Sequence, residues 1–326
     1  MDLFLEAARL GEVGERAALA TVVRTAGSVP RHAGAKMLVR PDGALVGTIG
    51  GGKLELEVIE EAKRVAGGEP ARLVQRHLVR DLAMCCGGSM DVWVEPLDGA
   101  RWKALAEVAR RRHRRVACAL VTSLASPGGK DVLAEDECLR TGTARREADR
   151  FVEPVFPPER LVLFGGGHVA LATAPLAAQM GFEVVVCDED ETFASAERFP
   201  QSRLVHSFEV AEVADELKPF GTGDFAVVLT RDHAVDQAIV EALIGRDDLT
   251  YLGLIGSQGK VGRFKKRILA KGIADESRWA RLHAPVGLDI GAETPEEIAL
   301  AIVAELVRER ASTRDQKTGH PRGAEP

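Results

Sequence analysis

Leu161-Val162-Leu163-Phe164-Gly165-Gly166-Gly167-His168-Val169-Ala170 is the stretch that decides the fold of the second half of the chain. Four apolar residues read as a buried strand, and the glycine run reads as a G-x-G-x-x-A turn opening a helix. Glycines there permit a tight turn and let a diphosphate approach the backbone, where a helix N-terminus offers N–H groups and positive potential. Asp188 ends the next apolar strand, Glu183–Cys187, at about the spacing where nucleotide-binding folds place a ribose carboxylate. Alone the turn is a weak signal; with its strand, its helix and Asp188 it is strong evidence for the fold. It leaves the ligand open, since the turn reads as a phosphate site or as a purely structural feature. His168 likewise reads as a contact to phosphate or a metal-bound oxo group, or as a helix-start side chain satisfied by backbone.

Working outward, strands fit residues 203–205, 225–229 and 251–255, with helices between them and a closing helix over 295–310. This alternation predicts a Rossmann-like, doubly wound parallel sheet. Polar residues follow the later strands: Thr230-Arg231-Asp232-His233, then Gly256-Ser257-Gln258-Gly259-Lys260 with Arg263 a turn further on. Strand ends of such a sheet converge on one crevice. There Arg231, Lys260 and Arg263 suit phosphate, and Asp232 or His233 suits proton handling or orientation. Each alone reads equally well as a cap or a surface ion pair.

Upstream, Phe151-Val152-Glu153-Pro154-Val155-Phe156-Pro157-Pro158 reads as an extended linker, because closely spaced prolines break helices and central strands. The expected organisation is a first domain over 1–150, a linker over 151–160, the Rossmann-like domain over 161–310 and a disordered polar tail over 311–326. In the first domain the pattern predicts helices over 2–10 and 102–112, and one after Gly52. Strands are expected over 18–24, 72–78, 89–95 and 116–123, with a hairpin turning at Pro41-Asp42-Gly43. This is an α+β domain with a mainly antiparallel sheet.

Two features of that domain suggest binding. Gly47-Thr48-Ile49-Gly50-Gly51-Gly52 is a second glycine loop entering a helix, hence a second potential anion nest, and the upstream loop adds Ser28, Arg31 and Lys36. Met84-Cys85-Cys86-Gly87-Gly88 sets a thiol beside flexible glycines, leaving room for a bulky soft-metal complex. Cys85 reads as a packing residue and Cys86 as the chemical one. The spacing is not that of a zinc knuckle.

Composition narrows the classes. The 326 residues are 45% hydrophobic and 28% charged, an ordinary globular make-up long enough for two domains. A net charge of −6 argues against a general nucleic-acid binder. The basic run Arg110-Arg111-Arg112-His113-Arg114-Arg115 reads as a solvated helix end or as a docking patch for an acidic partner. Five scattered cysteines are no disulfide framework. No apolar run spans a membrane, and the first residues carry no signal pattern, so a cytoplasmic location is expected.

Several blocks together resemble the XdhC/CoxI family. They are Gly27-Ser28-Val29-Pro30-Arg31, Gly34-Ala35-Lys36-Met37, Gly47–Gly52, Cys86-Gly87-Gly88 with Glu95-Pro96, Phe164–Val169, Leu229–His233, Leu254–Ser257 with Lys260 and Arg263-Phe264, and His283–Gly291. The likeness runs in order from about residue 17 to 308. It implies a xanthine dehydrogenase accessory protein, a chaperone more than a catalyst. Such a protein binds molybdenum cofactor, favours its sulfurated form and delivers it to a molybdenum hydroxylase. The resemblance further implies a homodimer and a cysteine desulfurase as a second partner. Carried over, Cys86-Gly87 would lie near the molybdenum, while Gly165, Gly166, Gly167 and the turn to Ala170 would hold the phosphate or dinucleotide end. Ser28, Arg31, Lys36, Gly50, Gly51, Gly52, Asp188, Arg231, Asp232, His233, Ser257 and Lys260 complete the expected binding set. The competing reading is an NAD(P)-dependent oxidoreductase built on the second domain; it lacks a recognisable proton-relay motif and leaves the first domain's glycine loops unexplained. A third is a nucleotide-sensing module without chemistry.

Overall fold

A computed structural model describes residues 2–318, which divide into two compact units meeting at Pro157 and Pro158. The first unit begins with α1 (Leu3–Glu12), capped by the Asp2 carboxylate accepting from Phe4 N at 2.9 Å. There follow β1 (Ala18–Ala26), β2 (Lys36–Val39), β3 (Leu45–Gly47), α2 (Gly52–Ala66), β4 (Arg72–His77), α3 (Leu78–Leu82), β5 (Ser89–Pro96) and α4 (Gly99–His113). The unit closes with β6 (Cys118–Ser123), β7 (Lys130–Leu133), α5 (Glu137–Thr141), β8 (Arg145–Arg146) and β9 (Arg150–Val155). Two antiparallel sheets result, ordered β3-β2-β1-β5-β4 and β7-β6-β9-β8. Ala18 to Val23 of β1 are all buried because both faces of its sheet are covered. Ala20, Val22 and Met37 pack on one side with Leu54, Val58 and Ala62 of α2. Leu19 and Leu38 pack on the other with α1, α4 and the second sheet.

The expected linker is a strand for much of its length. Residues 150–155 form β9, paired with β6 along its whole length. Proline is tolerated there because β8 pairs only with Phe151 and Val152, leaving one edge of β9 open at Pro154.

The second unit runs β10 (Arg160–Phe164), α6 (His168–Gln179), β11 (Glu183–Cys187), β12 (Arg203–Val205), α7 (Val210–Glu216), β13 (Asp224–Val228) and α8 (His233–Leu243). It ends with β14 (Tyr251–Leu254), α9 (Gln258–Ala270), α10 (Glu276–Trp279), β15 (Leu282–His283) and α11 (Pro295–Thr318). The sheet is parallel throughout, ordered β12-β11-β10-β13-β14-β15. Val162, Phe164 and Val185 face α7, α8 and α9, while Leu161, Leu163 and Val184 face α6 and α11. Strands buried on both faces read as unbroken apolar runs, which is why this half was legible. The strand order reverses between β10 and β13, the switch point where such folds bind ligands. The tail is shorter than expected: α11 continues through residues 311–318, and 319–326 lie outside the described residues.

Candidate functional site

In the first unit three loops converge. Gly88 N donates to Ser28 O at 2.9 Å, and a Cβ on Gly88 would lie 2.4 Å from that oxygen, so only glycine lets these backbones meet. A Cβ on Gly50 would lie 2.7 Å from Pro30 and 3.3 Å from Arg31, and one on Gly52 would lie 2.9 Å from Met84. The loops 27–31, 50–52 and 84–88 therefore share one patch, bringing together Ser28, Arg31, Gly50, Gly51, Gly52, Cys86 and Gly87. Gly51 and Gly87 face open space. Arg31 is exposed and has no ion pair among the described residues. Cys86 is half-buried with its flank on the α2 cluster, while Cys85 is exposed. Hydrogen bonding with the Cys85 thiol, then burial, holds the Cys86 thiol above its ordinary value.

Two expected anion contacts are engaged internally. The nest ahead of α2 holds the protein's own Glu55: its Oε2 accepts from Ile49 N at 2.9 Å and Gly51 N at 3.2 Å, with the Thr48 hydroxyl as a further donor. Burial would raise this carboxyl, but those hydrogen bonds outweigh it and hold it below the ordinary value. Lys36 forms a buried ion pair with Glu153 and donates to Gly34 O at 3.1 Å. Burial pulls its ammonium down against the opposing pull of Glu153. Lys36 thus fastens the 27–35 loop to β9. Glu55 had a readable signal, a carboxylate in the first helical turn, where it reaches back to the N-terminal donors. Glu153, 117 residues from Lys36, had none.

In the second unit the glycine turn sits at the switch point as expected. Gly165 has φ +122°. A Cβ on Gly165 would lie 2.5 Å from Leu229 O, and one on Gly166 the same distance from Phe193 O. These two glycines are required by the protein's own backbone, while Gly167 faces open space at the start of α6 beside the exposed His168. Asp188 is buried and bonded within the protein: Oδ2 accepts from Gly166 N at 2.9 Å, and Oδ1 from Asp190 N at 3.1 Å and from Arg231 at 3.3 Å. Arg231, half-exposed, stacks 3.5 Å from the Phe193 ring centroid. Arg198 donates to Gly166 O at 2.7 Å. Phe193 and Arg198, which sequence reasoning missed, lie over the turn from a segment without periodicity.

The remaining expected residues divide. Lys260 is buried, donating to Asp236 at 2.5 Å and to Ile255 O at 2.8 Å. Asp232 caps α8 through Ala234 N at 2.6 Å, and Ser257 caps α9 through Lys260 N at 3.4 Å. His233 is exposed at the start of α8 and, with Asp232, Arg263 and Arg267, lines an open groove of about 610 Å³ between α8 and α9. Among the described residues no three His, Cys, Asp or Glu side chains cluster to hold a bare metal ion, and no helix is long and apolar enough to cross a membrane.

A switch-point glycine turn on a parallel sheet, joined in one chain to an antiparallel unit with a thiol-bearing loop patch, defines a two-unit protein of the Rossmann class. Residues 11–77 match the family described as XdhC and CoxI, and residues 161–306 match the XdhC Rossmann domain. Relatives agree. The chain is 33% identical over 99% of its length to YqeB of Escherichia coli, described as uncharacterized, and spans about half (49%) of that protein. It is 29% identical to a protein of Bacillus subtilis described as a probable xanthine dehydrogenase subunit, covering 91% of this chain and 94% of the relative. It is 25% identical to the molybdenum cofactor insertion chaperone PaoD of Escherichia coli, covering 91% and 84%. A crystal structure described as a xanthine dehydrogenase from Bacillus halodurans matches with a TM-score of 0.79 at 25% identity, covering 100% of this chain and 98% of that one. The chain belongs to the XdhC and CoxI family.

Proposed function

We propose that this protein binds molybdenum cofactor, protects it in its sulfurated form and delivers it to a molybdenum hydroxylase of the xanthine dehydrogenase type. The observation that carries the reading is the convergence of three loops in the first unit, with a half-buried thiol, an exposed arginine and two glycines facing open space. This patch suits the cofactor chemically. A molybdopterin brings dithiolene sulfurs of its own to the metal, so its host needs one soft contact and room, not a full ligand cage. Cys86 supplies the thiol, Gly87 and Gly51 the space, and Arg31 and Ser28 a cation and a hydroxyl for anionic oxygens. Within the second unit, taken by itself, Gly167 and the first turn of α6, with His168, offer backbone N–H groups to an anionic ligand group. When bound, the cofactor supplies the redox chemistry of the recipient enzyme; this chain binds, orients and shields. A homodimer, a desulfurase partner and a cytoplasmic setting belong to the same proposal.

Asp188 already accepts from Gly166 N, Asp190 N and Arg231, so the ribose of any dinucleotide, a nicotinamide one included, would have to compete with the protein's own donors there. Equilibrium binding of anaerobic protein to molybdopterin, its dinucleotide form, NADH and NADPH tests the choice. Saturable pterin binding, with transfer that activates an apo-hydroxylase, is the expected result. Binding of NADH or NADPH with no pterin binding would overturn it.

A further inference from the structure

We propose that Arg231 is a specificity-determining residue of the second unit: its guanidinium, seated on Phe193, bars a ribose from the Asp188 carboxylate. The consequence for ligands, a phosphate accepted at the glycine turn without an adenosine, rests on the reading of that turn given above.

In a sheet of this class the carboxylate that ends the second strand accepts from the ribose hydroxyls, while the glycine turn takes the diphosphate. Here Asp188 follows β11 directly, with 1% of its side chain exposed. Its three donors are Gly166 N at 2.9 Å, Asp190 N at 3.1 Å and Arg231 Nη2 at 3.3 Å. The first two belong to the backbone. Only Arg231 donates from a side chain, so it is the donor that a ribose has to displace and that a substitution can remove.

Arg231 is held at its base and at its head. At the base, Thr230 N and Oγ1 donate to Asp236 Oδ1 at 3.0 and 2.7 Å. At the head, the guanidinium lies 3.5 Å from the Phe193 ring centroid. Phe193 is fixed in turn. Its N–H donates to Asp190 O at 2.9 Å, and its carbonyl oxygen lies 2.5 Å from where a Cβ on Gly166 would stand. Arg198 donates to Gly166 O at 2.7 Å and lies 5.3 Å from the same ring. The segment between β11 and β12 thus packs over the turn and carries the platform on which Arg231 rests. A cation–π contact adds to the ion pair, so a ribose competes with two partners of Arg231 at once.

An arginine beside this carboxylate is also how such folds receive a 2′-phosphate. The charges here oppose that use. Asp188-Glu189-Asp190-Glu191 sets four carboxylates in a row, the last three exposed. A 2′-phosphate would meet like charges at short range. Adenosine is therefore turned away by Arg231, and its 2′-phosphate form by repulsion as well.

Full-length wild type, Arg231→Met, and Arg231→Met combined with Asp188→Asn are titrated by calorimetry with ADP-ribose, 2′-phospho-ADP-ribose and pyrophosphate. Wild type is titrated separately with molybdopterin under anaerobic conditions. Wild type should bind pyrophosphate more tightly than either ribose ligand. Arg231→Met should bind ADP-ribose about tenfold more tightly than wild type, the worth of one charge-assisted hydrogen bond, and the double variant should lose that gain. The gain for 2′-phospho-ADP-ribose should be smaller. Should Arg231→Met fail to fold, Phe193→Ala removes the platform from a half-buried position and should show a gain for ADP-ribose in the same direction. Equal ADP-ribose affinity in wild type and variants, or no pyrophosphate binding by wild type, would overturn the proposal. So would a wild type that prefers 2′-phospho-ADP-ribose and loses it in Arg231→Met, since Arg231 would then be a phosphate receptor. Molybdopterin binding without the ADP-ribose gain would refute the role of Arg231 alone. The gain in a protein that binds no molybdopterin would refute the functional reading and leave Arg231 as the bar to ribose.

Discussion

The two glycine-rich turns of this protein look alike in sequence and are used differently. Both precede a helix and both invite an anion. The turn before α2 is filled by a carboxylate of its own helix, Glu55, so its N–H groups are already satisfied. The turn before α6 is filled at two of its three glycines by backbone from Leu229 and Phe193, leaving only Gly167 open. The cations repeat the lesson. Lys36 and Lys260 sit in buried ion pairs, while Arg31 is exposed with no ion pair among the described residues. A nest motif declares that a helix begins with spare donors. What fills it depends on side chains elsewhere.

This contrast can be broken from either side. The largest effect is expected at the buried pairs. Lys260→Met leaves Asp236 buried and uncompensated and should lower unfolding stability by about 3–5 kcal/mol. Denaturant titration measures it, and a change below about 1 kcal/mol would mean Lys260 is freer than its contacts indicate. Next, Gly165→Ala meets both a positive φ and the Leu229 carbonyl, and should cost about 3 kcal/mol or more. Gly167→Ala, facing open space, should stay within about 1 kcal/mol; equal costs at the two sites would erase the distinction between packed and open glycines.

Glu55→Gln should cost about 1.5–3 kcal/mol by weakening the charge-assisted bonds of the nest. The Glu55 carboxyl is held below its ordinary 4.5, so its contribution is full above that pH and is lost as the pH falls through its lowered value. The variant's stability-versus-pH curve should therefore be flatter in that acid range. An unchanged curve would say that the carboxylate does not fill the nest. The smallest effect on stability belongs to Arg31→Met, within about 0.5 kcal/mol. Its cofactor binding should nonetheless weaken about tenfold, the equivalent of one charge-assisted hydrogen bond. Unchanged affinity would remove Arg31 from the site.

The second unit's strands were legible because sheets covered on both faces demand unbroken apolar runs, as in Val184–Cys187. The first unit's strands from β1 to β6 were also legible, but β9 was not, because its proline reads locally as a breaker while an open sheet edge makes it harmless. The candidate site was legible as a set of loops. The sequence order of Gly27, Gly50 and Gly88 hides that their loops meet: β1–β5 pairing brings the first and third together, and the β3-β2-β1 pairings set the second beside them. The partners that engage Lys36, Lys260 and Asp188 stand 117, 24 and up to 43 residues away, beyond the reach of any local pattern.

The most direct test of the central claim, that the loop patch of the first unit holds the metal end of a molybdenum cofactor, is the molybdenum and pterin content of anaerobically purified wild type and Cys86→Ala. Near-stoichiometric molybdenum in wild type, falling in the variant while the fold is retained, is the predicted result. Neither molybdenum nor pterin in wild type, even after free cofactor is offered, would contradict the account.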